Sequence, residues 1–299
     1  MPESMPHRPV MAEEVLRYLN LRNGYIVLDG TIGCGGHAIK IIEKIMPRGL
    51  LIGIDLDNNS LKIAKSNLVR FNANLFKLIK GNFKDADFYL SKLGIKKINA
   101  CLLDLGISSY QLNSANRGFS FELNGPIDMR MDLSKSFKAY DIINKFKRKE
   151  LEKIVKQYGE ERHYRRIVNS IVKVRRIAPI RTTGELSEII IESVRTKYRK
   201  QKIHPATRTY QALRIAVNDE LNNLNDAIPK IVNMLDTGGR FCIISFHSLE
   251  DRIVKLNFKT LANKGIGKIL TKKPLKPDRD EVIDNIRARS ARMRVLERI

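Results

Sequence analysis

The sequence predicts an α/β fold, a Rossmann-like, doubly wound sheet carrying an inserted helical domain. Three observations predict it. Short apolar runs closed by an acid alternate with amphipathic stretches as far as Asp104. A Gly-rich turn joins the first such run to the first helical stretch. The alternation stops between about residues 113 and 203 and then resumes. Strict strand–helix alternation specifies a parallel sheet with helices on its faces.

The elements follow in order. Residues 25–29 (Tyr-Ile-Val-Leu-Asp) form a first strand, and Gly30-Thr-Ile-Gly-Cys-Gly-Gly36 turns from it into a helix over His37–Met46, stopped by Pro47-Arg-Gly49. Residues 50–55 form a second buried strand ending at Asp55, followed by a helix from Asn59 to Phe71. Residues 75–79 give a third strand, and residues 98–103 a fourth, closed by Asp104. Helical stretches then take over at Lys149–Tyr158, Arg162–Val174 and Gly184–Tyr198. A long helix is expected over Ala206–Leu235, broken by Pro229. A strand at Arg240–Phe246, a helix from Leu249, a basic linker (Lys264–Asp284) and a strand-like run at Met293–Ile299 complete the chain. Residues 1–112 and 204–299 are thus expected to form one α/β domain, interrupted by a helical insertion at 113–203.

Charge points to the partner. Fifty-five Lys and Arg against 32 Asp and Glu give a formal net charge of +23. A generally Lys-rich composition raises charge everywhere, but residues 145–200 hold 17 Lys and Arg against 7 Glu and no Asp, a local net of +10. That concentration suits a polyanion such as nucleic acid, with Arg165, Arg166, Arg175 and Arg176 the expected RNA contacts. No run approaches the ~18 apolar residues of a membrane span, and Met1–Glu14 has no apolar segment of the secretory kind. Cys34, Cys101 and Cys242 are unpaired in spacing and suggest neither a disulfide framework nor a zinc site. A cytoplasmic protein is expected, and the sequence gives no hint of a required metal.

The Gly-rich loop suggests a nucleoside cofactor, because backbone at such a loop approaches a ligand closely and a helix N-terminus faces it. A bare tight turn is the plainer reading, and Asp55 on the next strand end is what favours the cofactor: an acid there accepts hydrogen bonds from both ribose hydroxyls. The loop lacks the G-x-G-x-x-G spacing from its first glycine, and Asp29 would repel a pyrophosphate. A carboxylate there suits the sulfonium and ammonium of S-adenosylmethionine; it can equally stabilise the turn. Asp104 opens Asp-Leu-Gly-Ile-Ser-Ser109 at the strand edge where catalytic groups gather. A nucleobase amine is a poor nucleophile, and an acceptor such as Asp104, assisted by Ser108 or backbone carbonyls, can orient it and take its proton. A strand-end turn is the structural alternative. Carbon methylation of a pyrimidine ring needs a thiolate; Cys101 and Cys242 lie in apolar strands, which favours nitrogen or oxygen as acceptor. His163 reads as part of a basic face, while His204 and His247 sit at element edges open to substrate contact.

These blocks resemble the bacterial small-subunit ribosomal RNA cytidine-N4 methyltransferases, the RsmH or MraW family. The resemblance rests on His7-Arg-Pro-Val-Met11, Asp29–His37, Asp104–Ser109, Arg117-Gly-Phe-Ser-Phe121, Gly125–Asp132 and Tyr158–Arg162. It continues through His204–Glu220, Ile244–Arg252 and Arg287–Ala291, and so spans nearly the whole chain. It implies S-adenosylmethionine as methyl donor, the N4 amine of a decoding-centre cytidine as acceptor, and small-subunit ribosomal RNA or the assembled 30S subunit as partner. It also implies that the insertion recognises RNA. Cofactor contacts carry over to Gly35, Gly36 and His37, to Asp55 on the ribose and Phe83 near the adenine, with Asp104 and Gln111 closing the site. Tyr110 and Ile286 depart from the family pattern at positions without a chemical role. The oligomeric state is left open, a homodimer included. Three rival readings remain: an NAD-dependent oxidoreductase, disfavoured by loop spacing, Asp29 and charge; a non-catalytic ribosome-assembly protein; and a DNA amino-methyltransferase, disfavoured by the missing Asp/Asn-Pro-Pro-aromatic block.

Overall fold

The computed structural model of the chain describes residues 9–195 and 203–299. His7 and Arg8 of the first family block, and the end of the helix expected to reach Tyr198, lie outside the described residues. In chain order the elements are α1 (Ala12–Leu19), β1 (Ile26–Asp29), α2 (Gly36–Ile45), β2 (Leu50–Asp55), α3 (Asn58–Leu68), β3 (Phe76–Lys80), α4 (Ala86–Lys92) and β4 (Ile98–Asp104). Then come α5 (Ser109–Asn113), α6 (Ala139–Lys145), α7 (Arg148–Gly159), α8 (Tyr164–Arg175), α9 (Thr183–Val194) and α10 (Thr207–Asn218). The chain closes with α11 (Glu220–Met234), β5 (Leu235–Ser245), α12 (Ser248–Asn263), β6 (Gly267–Ile269), α13 (Arg279–Asp284) and β7 (Arg292–Arg298).

The chain divides into two compact units, the described residues up to Gly106 with Leu221–Ile299, and Ile107–Glu220. The first holds a seven-stranded sheet in the order β3-β2-β1-β4-β5-β7-β6. β1 to β5 run parallel, and β7 lies antiparallel between β5 and β6. This is the doubly wound α/β class that the alternation predicts. Val27, Leu51, Ala100 and Leu102 turn towards Ile41, Ile42 and Ile45 of α2 on one face; Leu28, Ile52, Cys101 and Leu103 meet Leu224 and Ile228 of α11 and Val254 and Phe258 of α12 on the other. Both faces are covered, which is why the strands read as continuous apolar runs. The strand order reverses between β1 and β4, so the carboxyl ends of these two strands open the crevice where an α/β sheet binds its ligand. No helix among the described residues is long and apolar enough to cross a membrane.

The second unit is helical. Ile142 and Ile143 of α6, Leu151 and Val155 of α7, Ile167 and Ile171 of α8, Leu186 and Ile190 of α9, and Tyr210 and Leu213 of α10 form its core. Its bounds are wider than the expected 113–203. α10 leans on α7, where Arg208 Nη1 donates to the Glu160 carbonyl and Gln211 Nε2 to the Tyr158 carbonyl, each at 2.9 Å. At the other end Ile107 and Leu112 pack against the same core.

The expected helix break at Pro229 falls elsewhere. Pro229 lies inside α11, and the chain turns instead at Asp219, which adopts a left-handed conformation (φ 54°). Across that turn Arg214 grips Glu220 through two 2.9 Å hydrogen bonds. The basic linker also holds more structure than expected, with β6 paired to β7 and α13 beyond it.

Candidate active site

Three carboxylates end three adjacent strands, Asp29 on β1, Asp55 on β2 and Asp104 on β4. The loop between β1 and α2 is bound to all three strand ends. The Gly33 N–H donates to Asp55 Oδ2 at 2.9 Å, the Thr31 N–H to Asp29 Oδ1 at 3.2 Å, and the Asp104 N–H to Thr31 Oγ1 at 2.6 Å. The second Asp55 oxygen accepts the Asp57 N–H at 2.8 Å, and Asp57 in turn caps α3 through the Asn59 N–H. Gly35 holds the loop's last turn with φ 88° and starts α2 with no side-chain cap. A side chain there would be strained, and the uncapped first amides of α2 face the loop's exit.

Gly30 is where the loop comes closest to its neighbours. A Cβ on it would lie 2.4 Å from Leu103 Cδ2 and 3.1 Å from the Phe83 Cβ, so any larger residue would displace the side chain of Leu103 or Phe83. The same proximity brings Phe83, half-buried after β3, to the loop. Asp55, His37, Phe83 and Asp104 therefore gather with Gly35 and Gly36 at one sheet edge. Gln111 belongs to the second unit. There it is buried, and its Oε1 accepts the Ser108 N–H at 3.1 Å while Ser108 Oγ accepts the Gln111 N–H at 3.2 Å, a capping box that starts α5.

The electrostatics of the first unit's edge are those of a cation site. Asp29 is buried, and burial is the main cause that pushes its carboxyl up to about 7; His37 and the Thr31 amide oppose this, while Asp104 and Asp55 add to it. His37 Nε2 lies 3.6 Å from Asp104 Oδ2, within ion-pair reach but too far for a hydrogen bond. His37 Nε2 and Asp104 Oδ1 are both buried without a hydrogen-bond partner. Each such orphan costs roughly 1–3 kcal/mol, a cost that a polar ligand seated between loop and strand end would relieve. A sulfonium or ammonium beside Asp29 would favour its ionised form, and carboxylate oxygens that already accept one amide still have lone pairs for ribose hydroxyls. The residues present fit S-adenosylmethionine.

Other sequence candidates find plainer places. His247 Nδ1 accepts the Glu250 N–H at 3.3 Å and caps α12. Cys101 and Cys242 are fully buried, and burial raises both thiols far above their ordinary range, so neither supplies a thiolate. Arg175, expected among the RNA contacts, instead turns its guanidinium onto the carbonyl oxygens of Ile143 and Phe146. Sequence reasoning overlooked Thr31, which ties the loop to Asp104. Its signal was present, as the one hydroxyl between Gly30 and Gly36.

The MraW methylase family matches residues 4–299. The chain belongs to that family. Among its relatives, the ribosomal RNA small subunit methyltransferase H of Halothermothrix orenii is 45% identical over 310 residues, covering 99% of each chain. The protein of the same name from Syntrophus aciditrophicus is 44% identical over 308 residues, covering 98% of each, and that of Persephonella marina is 43% identical over 293 residues, covering 98% of this chain and 99% of its own. The cofactor of this MraW methylase is S-adenosylmethionine.

Proposed function

We propose that this methylase transfers a methyl group from S-adenosylmethionine to the exocyclic N4 amine of a decoding-centre cytidine in small-subunit ribosomal RNA. The name its relatives carry supports the RNA, the cluster of basic residues supports a polyanionic substrate, and a cytoplasmic site of action follows from a ribosomal one. The observation that carries the chemistry is the Asp104 carboxylate, which ends β4 at the switch point of the sheet with one buried oxygen unpartnered and the other near His37.

When bound, S-adenosylmethionine supplies an electrophilic methyl group on a sulfonium. The chain's own residues do the rest. Asp55, whose two amide contacts keep the loop against β2, would hold the ribose. Gly35 and Gly36 would let the backbone close on the ligand, and Phe83 would lie near the adenine. Asp104 accepts a hydrogen bond from the N4 amine, which turns the nitrogen lone pair out of conjugation with the ring and towards the donor. As the carbon–nitrogen bond formed and the methyl–sulfur bond broke, leaving the donor as a neutral thioether, the same carboxylate would take the proton that the amine must lose. His37 stands beside it, its Nε2 3.6 Å from Asp104 Oδ2.

The test is methyl transfer from radiolabelled S-adenosylmethionine to unmodified small ribosomal subunits and to their deproteinised RNA, followed by nucleoside analysis. Label in N4-methylcytidine is the expected result. Label in another nucleoside keeps the methylase and discards the cytidine; no label in either substrate discards the RNA.

A further inference from the structure

His204 lies between a basic run and α10, and its ring lies flat on that of Phe121, with centroids 4.3 Å apart and planes 8° from parallel. Phe121 is backed in turn by Tyr210, edge-on at 5.5 Å and 88°. Tyr210 is buried, and its hydroxyl donates to the Thr183 carbonyl at 2.5 Å. The stack is therefore anchored in the core of the second unit, and its outermost member, His204, is exposed. The imidazole is also fixed in rotation, because His204 Nδ1 accepts the Ala206 N–H at 3.2 Å.

A turn needs only the acceptor. Serine, asparagine or aspartate makes the same contact to an amide two residues on, so the turn leaves the ring, and its exposure over half-buried Phe121 and buried Tyr210, unaccounted for. An ordered, exposed flat ring is what base stacking requires, since every base has a π-face and rigidity spares the entropy of ordering the protein side. The charge nearby in sequence fits the backbone of such a ligand: Arg195, Lys197, Arg199, Lys200, Lys202 and Arg208 flank His204 within residues 195–208, with no acid among them.

We propose that His204, laid on Phe121, is a stacking platform for an unpaired nucleobase of the RNA substrate. It positions RNA on the second unit without reading its sequence. This rests on the reading that the substrate is RNA, and deepens it by assigning one residue to single-stranded character.

The experiment crosses the two roles of the side chain. His204→Asn keeps an acceptor for the Ala206 amide and removes the ring; His204→Phe keeps a flat ring and removes the acceptor. Binding of a fluorescein-labelled, mixed-sequence single-stranded RNA oligonucleotide is measured for both and for the wild type across a range of salt. The Asn variant should bind about tenfold more weakly at every salt concentration, with the Phe variant within about threefold of wild type, since stacking is sequence-tolerant and ring-dependent. The slope of affinity against salt should not change, because no phosphate contact is lost. Unchanged affinity in the Asn variant overturns the platform. So does an equal loss in both variants, which assigns the residue to the turn, or a loss with a shallower salt slope, which assigns it to phosphate. A wild-type chain that fails to bind the oligonucleotide overturns it as well. Labelled methyl transfer then separates the two readings: full transfer to small subunits by wild type and Asn variant alike removes only the platform, and no transfer by the wild type removes the RNA reading itself.

Discussion

His37 Nε2 lies 3.6 Å from Asp104 Oδ2, linking the first turn of α2 to the end of β4. The pair joins the element that starts at the cofactor loop to the strand that carries the proposed base. Neither His37 Nε2 nor Asp104 Oδ1 has a hydrogen bond, so neither atom contributes one to the fold. Asp104→Ala should therefore lower kcat by about 10²–10⁴, the usual contribution of a positioned acid or base, while the protein melts at nearly the wild-type temperature. Single-turnover transfer of labelled methyl to small subunits, with a thermal melt in parallel, checks this. A kcat within a few-fold of wild type would assign Asp104 to the turn after β4 and leave the base elsewhere.

Asp55 differs from Asp104 in being occupied by the fold, since its two oxygens take the Gly33 and Asp57 amides at 2.9 and 2.8 Å. Its removal should act on the ligand through both the ribose and the loop. Asp55→Ala is expected to weaken S-adenosylmethionine binding by roughly 1–3 kcal/mol, the loss when polar groups are left without their charged acceptor. Asp55→Asn can still accept one of the two amides, so it should fall between Ala and wild type. Isothermal titration of the cofactor into each variant gives the ranking; equal affinities across the three would take Asp55 out of the site.

What the sequence made legible was local. An apolar run closed by an acid states both a buried strand and its end, so β1, β2 and β4 and their three carboxylates could be placed from residues alone. The turn between α10 and α11 could not. Proline is the strong signal for a break, yet Pro229 is carried within α11, while Asp219 takes the left-handed turn that a weakly marked residue type gave no sign of. The Arg214–Glu220 pair on either side of it, six residues apart, forms only once the chain has turned. The same limit applies to Thr31, whose partner Asp104 is 73 residues away, and to the Phe121–His204 stack, whose members meet only once the second unit has folded.

Asp29 makes stability depend on pH. Burial and its acidic neighbours push its carboxyl up to about 7 in the fold, from an ordinary 3.8. Between those values the unfolded chain is ionised at this position while the folded chain keeps its proton, so the folded state binds more protons and loses stability as pH rises. The penalty is absent below the unfolded value and complete above about 7, with a ceiling of about 4 kcal/mol that local relaxation lowers. Asp29→Asn keeps an oxygen for the Thr31 amide and cannot ionise. Its stability relative to wild type should therefore increase steadily between about pH 4 and about pH 7 and then level. Urea titrations of the cofactor-free proteins across that range test it, and a difference that does not vary with pH would show that Asp29 ionises normally in the fold.

Arg175 and Arg176 are neighbours in sequence with opposite expected effects. Arg175 donates to the carbonyl oxygens of Ile143 and Phe146 at the end of α6, carbonyls that a helix terminus leaves unsatisfied without such a partner. Arg176, like Arg165 and Arg166, is exposed. Arg175→Ala should cost about 1–3 kcal/mol of stability, because the donor to two helix-end acceptors is lost, and should leave the salt dependence of RNA binding as it was. Replacing Arg165, Arg166 and Arg176 together by Ala should leave stability within about 0.5 kcal/mol per site. The triple variant should also flatten the slope of log affinity against log salt by about 0.7 for each arginine that meets a phosphate of single-stranded RNA. The two measurements, urea unfolding and salt-dependent RNA binding, should separate the variants completely. An unchanged salt slope in the triple variant would move the phosphate contacts off α8 and its C-terminal end; a weakened slope in Arg175→Ala would mean that its guanidinium leaves α6 to meet the RNA.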